Sequence, residues 1–476
     1  MEGLYNTTIA AIATAMSDAG IGIVRMSGPE AFSIADRVYK GKKEKSLLSQ
    51  KTHTIHYGYV MDGEGMIDEV LVMLMKSPHS YTGEDTVEIN CHGGVYVVKR
   101  ILELLIEKGA RPAEPGEFTK RAFLNGKLDL SQAEAVGDLI SSKNQYAHQS
   151  SVNQLRGNIK NKISEIRNEI IYHTAFIESA LDDPEHVSVE GYGEKLLITV
   201  EKLMGQIKRL IDTYDNGRII KEGIRTVIVG KPNVGKSSLL NLLLGEERAI
   251  VTDIAGTTRD ILEENINLRG ISLNMIDTAG IRDTEDLVEK IGVERAKDFV
   301  EQADLILYVI DGSIPLDEND QEIFRLIGDK KTIILLNKSD LNMVVTREDV
   351  KKLYFASNPS VRGDEETNKF TLPVIYVSTK EKMGVNTLEE TLKDLFFEGN
   401  LAFNDEIYIT NIRHKTALQD TFSSLGRVRD SIESGMPEDF YSIDLLDAYE
   451  SLGCIIGEKI GEDLVNEIFS KFCMGK

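Results

Sequence analysis

The sequence predicts a multidomain chain that combines α/β and all-α parts. An N-terminal α/β domain covers residues 1–124, a helical domain is split between 125–217 and 400–476, and a P-loop domain is inserted over 218–399. Three observations lead there. Residues 1–124 alternate short strand-like and helix-like runs. Helical periodicity with few breakers fills 125–217 and returns after 400. Between these stretches an apolar run, a glycine-rich loop and a second apolar run read as strand, loop and helix. A length of 476 residues agrees with about three domains. An α/β domain inserts easily where its ends lie close together.

In the first domain, residues 22–25, 53–60, 69–75 and 86–90 read as strands and 94–108 as a helix. Ser131 and Glu134 have the S-x-x-E spacing of a capping box, which predicts a helix start. Ile159, Ile163, Ile166 and Ile170 recur at helical spacing, one stripe of a long helix and a core feature. After residue 400 the same spacing joins Leu445, Leu446, Tyr449 and Leu452, then Leu464, Val465, Ile468 and Phe469. Residues 341–372 read as a long, charged, loop-rich connection with no functional reading.

Composition excludes several classes. Hydrophobic content of 41% is ample for packed cores, and no apolar run is long enough to cross a bilayer. The first residues lack a basic segment of signal-peptide type. Cys91, Cys454 and Cys473 are too few and too scattered for a disulfide framework or a Cys₄ zinc site. A cytoplasmic location is the expectation. The net charge of −22 counts against broad phosphate binding, so any RNA contact needs a local patch or a more basic partner.

The inserted domain carries the chemistry. Gly230, Lys231, Pro232, Asn233, Val234, Gly235, Lys236 and Ser237 spell G-x-x-x-x-G-K-S after the apolar run 226–229. Glycines let backbone N–H groups turn toward phosphate oxygens, and the helix start behind them adds partial positive charge. Lys236 then reaches the outer phosphates and Ser237 ligates Mg²⁺. Asn337, Lys338, Ser339 and Asp340 follow a second apolar run. An aspartate there accepts from the N1–H and exocyclic amine of guanine, a donor pair that adenine lacks. A site built on such pairing discriminates by roughly 10⁴-fold. Lys338 covers the purine with its stem, and Ser378, Thr379 and Lys380 fit a further base-contacting loop. Asp277, Thr278, Ala279 and Gly280 stand where Mg²⁺ and the γ-phosphate are sensed, and Thr258, in preference to Thr257, supplies a Mg²⁺ hydroxyl. Ile281 occupies the place of a water-orienting glutamine. Another group must stabilise the transition state, with Arg259, Arg282, Glu285 and Glu289 as candidates.

Phe472, Cys473, Met474, Gly475 and Lys476 close the sequence. Gly475 and Lys476 do not fit a prenylation signal. Without further context Cys473 reads equally as an incidental thiol.

The whole chain resembles the MnmE (TrmE) family of tRNA-modification GTPases. The resemblance rests on GKPNVGKSSLLN, VTDIAGTTRD, DTAGIRDTEDLVEKIG and NKSD in the middle. SYTGEDTVEINCHGG and RPAEPGEFTKRAFLNGKLDLSQAEA near the front and FCMGK at the end extend it. Met474 is a mild departure from the isoleucine or leucine usual there. The resemblance implies a Ras-like GTPase fold for the insert and a folate-binding-like N-terminal domain. It implies a K⁺-dependent GTPase that, with the flavoprotein MnmG, adds an aminomethyl or carboxymethylaminomethyl group to C5 of the tRNA wobble uridine.

The nucleotide contacts it implies extend over Ser238, Thr252, Asp253, Ile254, Ala255, Gly256 and Thr257. K⁺ falls to Asn233, Thr252, Ile254 and Thr257, and a cation there offsets charge developing on the phosphates. Glu289 orients the attacking water through a second water. 5-formyltetrahydrofolate or 5,10-methylenetetrahydrofolate falls to Arg25, Glu88, Lys127 and Lys476, with the tail folded back toward it and Cys473 needed for modification. The family implies a homodimer through the N-terminal domains and a heterotetramer with MnmG. The alternative is a GTP-dependent ribosome-assembly or regulatory switch, which has no use for a pterin site or a terminal thiol.

Overall fold

A computed structural model describes residues 7–42, 46–183, 186, 191–245, 264–268, 270–276, 293–358, 372–397, 407–458, 461–473 and 475. The chain divides into two compact units. The first comprises Met1–Ser141, Ser151–Lys208 and Thr416–Lys476, the second Ser142–Ser150 and Arg209–Lys415. Among the described residues no helix is long and apolar enough to cross a membrane.

The first unit opens with β1 (Ile9–Ile12), β2 (Ala19–Ser27), β3 (Tyr39–Gly41), β4 (Thr54–Asp62), β5 (Gly65–Met75), β6 (Thr86–Gly93) and β7 (Arg111–Pro112). They form one sheet in the order β3-β4-β5-β6-β2-β1-β7, antiparallel except where β1 meets β7. Alternation sorts the side chains. Val24, Met26, Val70, Val72, Leu74, Val87 and Ile89 turn to one face, where they pack with Ile34, Val38, Ile101 and Leu104 of the helices Ala31–Val38 and Val95–Glu107. The register places Ala11, Arg25, Glu88 and Met73 in one row on the opposite face. That row bears on the site below.

The helical part of this unit contains Leu130–Ser141, Asn158–Asp182, Glu438–Ile456 and Glu462–Ser470. The isoleucine stripe of Asn158–Asp182 is buried at all four positions. Each such side chain contributes about 1.5–3 kcal/mol of apolar burial, which makes the stripe core. Leu130 and Ala133 share a core with Val465 and Phe469, so the two separated stretches pack together. The capping box lies two residues earlier than expected. Asp129 Oδ1 accepts from the Gln132 N–H at 3.1 Å, and Gln132 Oε1 accepts from the Asp129 N–H at 3.1 Å. Both tetrapeptides fit the pattern; Asp129 prevails because it also accepts from Ser131 Oγ at 2.6 Å, which removes Ser131 as the cap.

The second unit holds β8 (Ile224–Val229), β9 (Glu264–Leu268), β10 (Ile271–Met275), β11 (Leu305–Asp311), β12 (Thr332–Asn337) and β13 (Val374–Tyr376). Their order is β13-β12-β11-β8-β10-β9, parallel except for β9 against β10. Leu305, Leu307 and Val309 enter one core while Ile306, Tyr308 and Ile310 enter another. Both faces of the sheet are therefore buried, as continuous apolar runs require. Ligands in such sheets bind at the carboxyl ends of the strands, and the loops after β8, β11, β12 and β13 meet there. The region 341–372 is not all loop. Thr346 caps a helix, Arg347–Ser357, through a capping box with Asp349, a signal hidden by the surrounding charge. Residues 142–150 also belong to this unit. Asn144 is buried and its Nδ2 donates to Ser272 Oγ at 2.9 Å and to the Ile220 carbonyl at 3.3 Å.

Candidate functional site

The second unit builds its site around the loop between β8 and the helix Lys236–Gly245. A Cβ on Gly230 would stand 2.4 Å from the Val309 carbonyl oxygen, and one on Gly235 2.2 Å from Asn337 Nδ2. Both glycines also have positive φ, so neither position admits a side chain. Asn233 adopts a φ of 62°. Lys236 Nζ donates to the carbonyls of Gly230 and Lys231, each at 2.8 Å. Desolvation lowers its pKa. The amine thus rests on the loop's own backbone, within reach of whatever the loop encircles. Ser237 and Ser238 are exposed in the first helical turn.

Asn337, wholly buried at the end of β12, joins three loops. Its Nδ2 donates to the Val234 carbonyl at 2.8 Å, and its Oδ1 accepts from the Thr379 N–H at 3.2 Å. Leaving either backbone group unpaired costs about 1–3 kcal/mol, so the phosphate loop and the two base loops are held as one frame. Asp340 is exposed, and Ser378 Oγ donates to its Oδ1 at 2.6 Å. That hydrogen bond holds the carboxyl below its ordinary range and leaves oxygen lone pairs for a ligand. Lys380, two residues after Ser378, is exposed.

Lys338 has a φ of 62°, and its Nζ pairs with Asp311 Oδ2 at 2.5 Å. Burial would raise the Asp311 pKa, but the bonds from Lys338 and Ser313 outweigh it and hold the carboxylate ionised. Asp311 was not foreseen; its only signal is an acid closing an apolar strand. Thr252, Asp253, Ile254, Ala255, Gly256, Thr257, Thr258, Asp277, Thr278, Ala279, Gly280 and Glu289 lie outside the described residues, as do Arg259, Arg282 and Glu285.

The first unit carries a separate constellation on the open sheet face. Arg25 Nε donates to Glu88 Oε1 at 2.8 Å, with each side chain 16% exposed. The guanidinium carbon lies 5.8 Å from the ring centre of Tyr81 and 5.7 Å from that of Phe118. Arg25 Nη1 also donates to the Gly475 carbonyl at 3.3 Å. The C-terminal tail therefore reaches the Arg25–Glu88 pair, although 450 residues separate them in sequence.

The tail is seated by backbone. The Gly116 N–H donates to the Cys473 carbonyl at 3.4 Å, the Phe472 ring lies against Gly137, and Gly475 is buried against Ile12. The Cys473 side chain stays exposed. Lys127 is exposed and its Nζ donates to the Pro78 carbonyl at 3.1 Å, near Gly83, and it neither hydrogen-bonds nor ion-pairs with Arg25 or Glu88. Lys476 lies outside the described residues. Sequence reading did not single out Tyr81 or Phe118; aromatic residues beside a lone arginine give no signal before the fold brings them together. The arrangement offers hydrogen-bond donors, a carboxylate acceptor and two ring faces, a set that suits a flat heterocycle with an amide-like edge.

Comparison with known proteins bears on both sites. A family description, "GTP-binding protein TrmE N-terminus", matches residues 8–127, and another, "MnmE helical domain", matches residues 130–473. A protein of Lachnoclostridium phytofermentans described as tRNA modification GTPase MnmE is 56% identical over 98% of this chain and 99% of its own length. One of the same description from Acetivibrio thermocellus is 48% identical over 98% and 99%. Among solved structures, the G domain of the FeoB iron transporter of T. maritima is 22% identical, with a TM-score of 0.24, covering 36% of this chain and 98% of that one.

Proposed function

We propose that this chain, which belongs to the MnmE family of tRNA modification GTPases, couples GTP hydrolysis in its second unit to one-carbon chemistry at the tail-covered face of its first. The observation that carries the reading is the hydrogen bond from Arg25 to the Gly475 carbonyl. It brings the exposed Cys473 segment to a charged, aromatic-lined face in a chain that also holds a guanine-type P-loop frame.

The residues fit the groups they would hold. Gly230 and Gly235 leave backbone space that a Cβ would fill, as a phosphate cradle requires. Asn233, Val234, Gly235, Lys236, Ser237 and Ser238 would surround the triphosphate. Lys236 would exchange two carbonyl acceptors for phosphate oxygens. Asp340 would accept from the guanine edge, with Asn337, Lys338, Ser378, Thr379 and Lys380 around the base. Mg²⁺ would be held by Ser237 and Thr258, and K⁺ by Asn233, Thr252, Ile254 and Thr257. These cations would neutralise charge that develops on the phosphates. Glu289 would orient the attacking water.

In the first unit Glu88 would accept from the pterin edge and Arg25 would hold both Glu88 and the tail. Lys127 and Lys476 would meet the folate carboxylates. The folate, 5-formyltetrahydrofolate or 5,10-methylenetetrahydrofolate, supplies the one-carbon unit when bound. Cys473 stands exposed at this face to act on it or on the base. The product is a C5-aminomethyl or carboxymethylaminomethyl wobble uridine, made by a homodimer with the flavoprotein MnmG in the cytoplasm.

The test is mass spectrometry of tRNA nucleosides from cells lacking this protein. C5-substituted wobble uridines should vanish and return with the intact gene. Unchanged nucleosides would instead favour a GTP-dependent assembly switch.

A further inference from the structure

Lys231 is the second residue of the phosphate loop, and the P-loop pattern assigns it no role. In the structure its amine is tethered by two carboxylates. Its Nζ bonds to Asp317 Oδ2 at 2.9 Å and to Asp320 Oδ2 at 2.7 Å. The Lys231 side chain is 12% exposed and that of Asp320 1%. Asp317 is the N-cap of the helix Glu318–Ile327, and Asp320 is its capping-box partner.

Every lone pair of Asp320 that matters here is engaged. Oδ2 also accepts from the Asp317 N–H at 2.9 Å, and Oδ1 accepts from the hydroxyl of Tyr308, a fully buried residue of β11, at 2.7 Å. Burial opposes the charge on Lys231, but the bonds to Asp320 and Asp317 outweigh it, so the amine stays protonated. A buried carboxylate with three donors is a fixed point, and Lys231 ties the loop to it. The backbone of Lys231 matters too, because its carbonyl is one of the two acceptors on which Lys236 Nζ rests. The loop's other end is held by Asn337 through the Val234 carbonyl. The two tethers bracket the loop from opposite ends.

We propose that Lys231 and Asp320 are positioning residues for the nucleotide. Their ion pair anchors the front of the phosphate loop to the start of the helix Glu318–Ile327, and so orders the loop before the triphosphate arrives. The inference rests on the reading that Lys236 and this loop meet the phosphates. Ordering in advance removes a cost that binding would otherwise carry. The effect therefore belongs to affinity in ground and transition states alike, which raises KM and leaves kcat nearly unchanged when lost.

The experiment is steady-state GTP hydrolysis by the full chain in K⁺ and Mg²⁺, at a temperature where circular dichroism shows each variant folded. Lys231→Met should raise KM by about tenfold or more with kcat within about twofold. Lys231→Arg, whose fork can meet both carboxylates, should return KM to within about threefold of the unaltered chain. Lys231→Met leaves Asp320 buried beside no cation and can fail to fold. The double variant Lys231→Met/Asp320→Asn removes that unpaired charge and should show the same rise in KM. A purely structural pair would lower the melting temperature without moving KM, and that result overturns the inference. Lys236→Ala runs alongside. If it abolishes binding while both Lys231→Met forms keep the ordinary KM, the tether idea alone fails. If Lys236→Ala itself binds GTP normally, the reading of the loop fails first.

Discussion

Asp340 is the side chain proposed to set the base. Its carboxylate is held by the Ser378 hydroxyl at 2.6 Å, which lowers its pKa and leaves two acceptor directions toward a ligand. Because the pKa is depressed, the acceptor pair is present throughout neutral pH. It is lost only as pH falls below the ordinary aspartate range. Asp340→Asn exchanges one acceptor for a donor. That donor meets the N–H of guanine but matches the C2 carbonyl of xanthine. GTP affinity should fall by roughly 10²-fold or more, with xanthosine triphosphate gaining in its place, as measured by competition against a fluorescent nucleotide. The position of Asn337 and Asp340 at the end of a buried strand was legible in sequence, because a polar tetrapeptide follows an apolar run. Asp311 was not, since it acts on Lys338 across two loops that only the parallel register of β11 and β12 brings side by side.

At the scale of elements, periodicity revealed more than local caps did. The alternation of β5 and β6, the isoleucine stripe of Asn158–Asp182 and the P-loop context could all be read from spacing. The two-residue strand β7 and the three-residue β3 could not, because so few residues carry no period. The same holds for the tail, whose docking depends on backbone. Gly475 has a φ of 85°, and a Cβ there would stand 2.3 Å from the Ile12 carbonyl oxygen. No side chain fits without displacing β1 or the tail, and the tail is the less anchored of the two. Gly475→Ala should therefore release the tail and break the bond to Arg25. Protection from hydrogen exchange at Gly116, whose N–H is held by Cys473, should fall in the variant. Protection should hold at Val87 and Ile89 in the sheet core. Unchanged exchange at Gly116 would show that the tail stays seated and that the glycine is incidental.

For the whole molecule, net charge was the least informative quantity. A sum of −22 averages the entire surface and says nothing of a local patch, so it weighed against tRNA in a chain of a tRNA-modification family. The molecule divides into two compact units joined by continuous chain, and the proposed chemistries fall one to each. If hydrolysis in one unit drives events at the tail of the other, lesions should pass in one direction only. Glu289→Ala, at the residue proposed to orient water, should lower GTP turnover by roughly 10²-fold or more, carrying modification down with it. If K⁺ is held as proposed, replacing it with the smaller Na⁺ should act in the same direction, because an ion too small for that ligand set leaves the phosphates without charge compensation. Cys473→Ser stands at the far end of the sequence of events. It should abolish C5 modification while GTP turnover stays within about twofold of the unaltered chain, since Cys473 belongs to the other unit from the phosphate loop. Both activities are read on the same preparation, turnover by phosphate release and modification by nucleoside mass spectrometry. A Cys473→Ser protein that lost turnover as well would mean that the two units do not act in series. One that kept modification would remove the thiol from the chemistry altogether.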